Sequence, residues 1–156
     1  MKSKLLGVLI AVLFLTIAFN GCFEEEKEQI QEIIENTNMS YWFYGSYSPF
    51  RYIRVNITGY NATVSYQYFS SENATIKNLT LSKKNVSDFI NKYQEMDFFN
   101  ITVVDYFVYD MGTTEISLRY NNMNRTISYI ATKNKNINEL ALMYRNLYWP
   151  LIEPEI

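Results

Sequence analysis

Between Ile53 and Tyr68 the chain alternates apolar and polar residues at every second position, and this pattern constrains the fold more than any other feature. Ile53, Val55 and Ile57 alternate with Arg54, Asn56 and Thr58. Ala62, Val64, Tyr66 and Tyr68 alternate with Asn61, Thr63, Ser65 and Gln67. A period of two places all the apolar side chains on one face of a strand and leaves the other face wet. Gly59-Tyr60 between the two runs predicts a tight turn. Tyr41 to Tyr47 predicts a first strand, ended by Ser48-Pro49. A further strand follows Asn73, and its apolar parity slips between Ile76 and Leu79, which predicts a bulge near Lys77-Asn78. Ile116, Leu118 and Tyr120 resume the alternation. Asn121 to Asn124 reads as a hairpin loop, and Ile127 and Tyr129 lie in the return strand.

Two stretches carry a helical period instead. After Ser82, a capping residue, Val86, Phe89, Ile90, Tyr93 and Met96 form one apolar face. Asn136 with Glu139 reads as a capping box, followed by a stripe of Ile137, Leu140, Ala141, Tyr144, Leu147 and Tyr148 that Pro150 stops. The order is β-β-β-β-α-β-β-α. It predicts an α+β fold: an antiparallel sheet of about five to six strands with two helices on one face, preceded by an N-terminal hydrophobic helix.

That N-terminal segment directs the rest of the chain. Lys2 and Lys4 precede Leu5 to Phe19, a nearly unbroken apolar run of 15 residues. A spanning helix needs about 20 residues, whereas a signal-peptide core has 7–15. Phe19-Asn20-Gly21-Cys22 resembles a lipobox, which implies lipidation and a new N-terminus at Cys22. The alternative is an uncleaved signal anchor. Either way Lys2 and Lys4 stay inside and the remainder is carried out. The expected organisation is a signal peptide or anchor over 1–22, an acidic spacer over 23–40 and one extracytoplasmic domain over 41–150. Within the spacer, Ile30, Ile33 and Ile34 share one side of a short helix.

Eight Asn-X-Ser/Thr triplets follow, at Asn38, Asn56, Asn61, Asn73, Asn78, Asn85, Asn100 and Asn124. The 17 asparagines and 22 serines plus threonines of this chain of 156 residues would give roughly two or three by chance. The excess points to N-glycosylation outside the cell, with Asn56, Asn61 and Asn124 the best-placed acceptors on wet faces or in a hairpin loop. A lipobox with dense sequons suggests an archaeal cell surface.

The chemistry available is narrow. The chain has no histidine and a single cysteine, Cys22. Ser–His and Cys–His pairs, His/Cys zinc sites and an internal disulfide therefore cannot be built. A net charge of −2 offers no basic stripe for nucleic acid. Asp97, Asp105 and Asp110 could do acid–base work, but their spacing is not that of a calcium loop, and capping or solvated roles are the plainer reading. No catalytic residue, metal or cofactor is expected. Several aromatics fall outside the alternation, Trp42 and Phe50 among them, and Tyr106, Phe107 and Tyr109 mark an irregular loop as the expected binding surface. The reading is a membrane-anchored binding module with an envelope or extracellular protein, peptide or glycan as partner. The alternatives are an envelope enzyme using carboxylates and a purely structural envelope protein.

The second half runs from a polar strand into a capped helix ending in Met96-Asp97-Phe98-Phe99, then a Thr-rich hairpin over Thr113 to Thr132 and a last helix. With the aromatic-glycine stretch Phe43-Tyr44-Gly45-Ser46-Tyr47, this cadence resembles emfourin-like domains across about Tyr41 to Leu147. That family comprises small α+β proteins that include inhibitors of thermolysin-type metallopeptidases. The resemblance implies an inhibitor-like role. The family's Gly-Gly pair near the first strand is absent here, and no binding residue is carried across.

Overall fold

A computed structural model of the chain describes residues 31–45, 48–106, 108 and 112–152. The apolar run, Cys22 and most of the acidic spacer lie outside them, as do Ser46, Tyr47, Phe107, Tyr109 and Asp110. The chain divides into two units, Met1–Ile33 and Ile34–Ile156. Of the first, only residues 31–33 are described, and they are helical. No helix among the described residues is long and apolar enough to cross a membrane.

The second unit is built on six strands: β1 (Thr37–Tyr44), β2 (Phe50–Thr58), β3 (Asn61–Tyr68), β4 (Thr75–Thr80), β5 (Thr113–Tyr120) and β6 (Met123–Tyr129). They form one antiparallel sheet in the order β4-β3-β2-β1-β5-β6. Two helices, α1 (Lys83–Glu95) and α2 (Lys135–Ile152), supply buried residues to the core. Met39, Val55, Val64, Ile116 and Ile127 belong to the strand contribution, placed on one face by the register, and pack in the same cluster as Val86, Phe89, Leu140 and Tyr144. Both helices thus cover one face of the sheet, as the alternation requires.

β1 begins at Thr37, four residues ahead of the expected Tyr41, and Ile34 and Met39 are both core residues. Met39 and Tyr41 share a strand face, so burying Tyr41 draws Met39 in with it. The bulge expected at Lys77-Asn78 is not formed: β4 pairs with β3 in one unbroken register from Thr75 to Thr80. The parity slip has another cause. Ile76 points outward on this edge strand and is 64% exposed, while Leu79 packs against the core. The register shift of the sheet falls instead between Phe50 and Tyr52 on β2.

The turns obey backbone sterics. Gly59 has φ +58 in the two-residue turn between Thr58 and Asn61, a region that an L side chain occupies at a cost. Gly112 is required by contact: a Cβ there would lie 1.8 Å from the Tyr44 carbonyl oxygen. The β5–β6 loop narrows to Asn121-Asn122, and Met123 and Asn124 already belong to β6.

The helix ends are well determined. Ser82 caps α1 by accepting from the Asn85 N–H at 3.1 Å. At the other end Asp97 has φ +47, the Phe98 N–H donates to the Tyr93 carbonyl at 3.1 Å and the Asp97 N–H to Gln94 at 2.9 Å. This is a Schellman closure, completed by an edge-on contact between the Tyr93 and Phe98 rings at 4.8 Å. The Asp-Phe-Phe helix end is therefore a capping device. The cap of α2 is Asn134, which accepts from the Ile137 N–H at 3.2 Å, and not the expected Asn136–Glu139 box. Asn136 and Glu139 both engage Lys92, which ties α1 to α2. Pro150 does not stop α2, which continues to Ile152. Ile152 is fully buried, and its burial offsets the hydrogen bond that proline cannot donate in this last turn.

Candidate functional site

The sheet and α2 do not close completely at one end. An open cleft of about 580 Å³ remains between one side of α2, the end of β1, the start of β2 and the end of β6. Its size is within the range of small-molecule and side-chain pockets. α2 builds one wall because it carries two adjacent stripes. Ile137, Leu140, Tyr144 and Tyr148 face the core, whereas Asn138, Ala141, Leu142, Arg145 and Trp149, at helical spacing, line the cleft. Tyr41, Phe43, Phe50, Tyr129 and Thr114 form the floor from the strands, and Tyr106 stands at the rim.

Tyr106 is 43% exposed and Leu142 52% exposed, so the cleft has an apolar lip open to solvent. The position of Tyr106 follows from its neighbour. Asp105 Oδ1 accepts from the backbone N–H groups of Ile130 at 2.9 Å and Ala131 at 3.0 Å. The Tyr106 N–H donates to the Ala131 carbonyl at 3.1 Å, and the Thr132 hydroxyl to the Val104 carbonyl at 3.2 Å. Asp105 thereby pins the segment against the end of β6, with its carboxylate oxygen occupied by backbone donors.

The floor is aromatic and its hydroxyls are protonated. The Tyr41 ring stacks on Tyr144 at 5.3 Å and on Tyr148 at 5.9 Å. The hydroxyls of Tyr41 and Tyr148 engage each other, and Thr114 engages both Tyr41 and Tyr129. Burial raises all three phenols, Tyr129 to about 12 and Tyr41 further still, so near neutral pH they are hydrogen-bonding groups and not bases. Among the described residues of the lining the one cation is Arg145, which lies over the Trp149 ring at 4.9 Å. Among the described residues no carboxylate pairs with it. No group of three or more His, Cys, Asp or Glu that could hold a metal ion occurs among the described residues.

Of the three aromatics expected to form a binding surface, Tyr106 is at the cleft, and Phe107 and Tyr109 lie outside the described residues. Phe50 is a core residue, 1% exposed and edge-on to Tyr66. Trp42 sits on the opposite face of the sheet, stacked on Tyr44 at 4.4 Å with Arg54 over its ring at 4.9 Å. Asp97 does not join Asp105; its carboxylate accepts from Asn100 Nδ2 at 3.0 and 3.1 Å. Sequence reasoning did not single out Arg145 or Trp149. The available signal was the second stripe of α2, offset from the core stripe by one position. Seven sequon asparagines are exposed, and Asn56, in β2, is half-buried. No protein-family model matches this sequence, and no curated protein is recognisably similar to it.

Proposed function

We propose that this chain is an exported, membrane-anchored binding module, and that the α2 cleft receives an apolar or aromatic group of a macromolecular partner. The observation that carries this reading is the cleft itself: an open aromatic trough of about 580 Å³ with exposed Tyr106 and Leu142 at its lip and Arg145, which no carboxylate pairs among the described residues. Aromatic and arginine side chains dominate the energy of interfaces, and here they line one concavity. The phenols of the floor, protonated near neutrality, supply hydrogen bonds and no general base. Export and anchoring rest on the apolar run and on Gly21-Cys22, with lipid on Cys22 as the attachment. A peptidase as the partner is the narrower form of the same reading, and it rests on the sequence resemblance alone.

The test compares the wild-type chain with Tyr106→Ser, Leu142→Ser and Arg145→Ala for capture of a partner from the envelope fraction. All three residues are surface-accessible, so thermal midpoints should stay within a few degrees. Binding should weaken by about 2 kcal/mol or more for at least one variant. Undiminished capture by all three would refute the cleft as the site.

A further inference from the structure

The face of the sheet opposite the helices has a composition that solvent exposure alone does not explain. In a strand, residues two apart share a face, so a sequon whose asparagine points outward also presents its own hydroxyl outward. Five of the eight sequons do this on this single face: Asn38-Ser40, Asn56-Thr58, Asn61-Thr63, Asn78-Thr80 and Asn124-Thr126. The strand register places them in rows. Asn61 pairs with Thr58, Thr58 with Asn38, Asn38 with Arg119 and Arg119 with Asn124. Neighbouring strands are about 4.8 Å apart, so successive asparagines of the row stand roughly 10 Å apart.

Asparagine is disfavoured in strands, and a wet face is served as well by threonine or by charged residues, which also protect an open sheet from association. Here the middle row is Asn, Ser and Thr throughout, from Asn78 to Thr126. The side-chain geometry adds a second observation. The Asn38 carboxamide oxygen accepts from the Thr58 hydroxyl at 2.7 Å, and that of Asn78 from the Thr63 hydroxyl at 3.1 Å. Both amides are held by their oxygens, which leaves Nδ2, the nitrogen that takes sugar, turned away from the bond. Asn100, off this face, shows the reverse, with Nδ2 donating to the Asp97 carboxylate.

We infer that the open face of the sheet is the N-glycosylated face of the protein, covered by sugars on its own outward asparagines, so that partners meet the helix side. In the transfer, a bond forms between asparagine Nδ2 and the anomeric carbon of an oligosaccharide activated as a lipid-linked phosphate ester. The bond from that carbon to the phosphate oxygen breaks, the lipid phosphate leaves, and the amide proton passes to a base of the transferring enzyme. The inference shares with the proposed function only the premise of export.

Glycopeptide mass mapping of the chain purified from the membranes of its own host tests it. The expected result is sugar mass on Asn38, Asn61 and Asn78. An Asn61→Gln variant should lose one glycan, and Thr63→Ser, which preserves the sequon, should keep it. Bare asparagines at all five face positions in membrane-derived protein would overturn the inference, even with sugar on Asn73, Asn85 or Asn100. Bare protein recovered only from the cytoplasm would overturn the export premise as well, which separates the two failures.

Discussion

Tyr93 and Tyr144 place two hydroxyls in the middle of the core, 2% and 0% exposed, and the direction of their hydrogen bonds makes the two unequal. The hydroxyls are 2.8 Å apart, and Tyr93 also reaches the Ser117 carbonyl at 3.2 Å. A carbonyl only accepts, so the Tyr93 proton goes to Ser117 and the Tyr144 proton goes to the Tyr93 oxygen. Tyr93→Phe therefore removes two bonds and strands the Tyr144 hydroxyl in an apolar core. The orphaned group costs about 1–3 kcal/mol and the lost bond to Ser117 about 1 kcal/mol more, for a total of about 2–4 kcal/mol. Tyr144→Phe leaves Tyr93 donating to Ser117 and removes only the incoming bond, about 0.5–1.5 kcal/mol. The double variant has no orphaned hydroxyl, so it should cost less than the sum of the singles by about 1–2 kcal/mol. Urea unfolding followed by tryptophan emission gives the three free energies by linear extrapolation. A Tyr144→Phe loss equal to or above that of Tyr93→Phe, or strict additivity, would refute this assignment of donors.

Two further outcomes follow from the same physics. Asp105→Ala should destabilise the chain by about 1–3 kcal/mol, because the Ile130 and Ala131 N–H groups lose their shared acceptor, whereas Asp105→Asn, which retains an oxygen there, should keep most of the stability in the same unfolding assay. The buried phenols set an alkaline limit: burial raises Tyr129 to about 12 and Tyr41, Tyr93, Tyr144 and Tyr148 above their usual value, so the folded state holds protons that the unfolded chain releases near pH 10. Stability should be fully retained below about pH 10 and fall as pH rises from there, each such group losing its contribution as pH passes through its raised folded value, and a flat profile to pH 12 in a denaturation series would contradict this.

Local patterns in the sequence determined the element order. Alternation from Ile53 to Tyr68 required two strands with one wet face, Ser82 required a helix start, and the stripe through Val86, Phe89 and Tyr93 required that helix to pack. The β-β-β-β-α-β-β-α order needed nothing more, because side-chain period and capping are set within a few residues. The same holds for the excess of sequons. Where competing signals had to be weighed against distant contacts, tertiary structure decided. Ile76 could face outward because β4 is an edge, Asn136 and Glu139 were taken from a capping role by Lys92 on another helix, and burial of Ile152 carried α2 past Pro150. The cleft is of this second kind. Tyr41, Tyr106, Tyr129, Arg145 and Trp149 come from both halves of the chain, and a sheet order that puts β1 beside β5 is what brings them together. Sequence supplies each side chain with a face; only the register of strands and the seating of a helix decide which faces leave a gap between them.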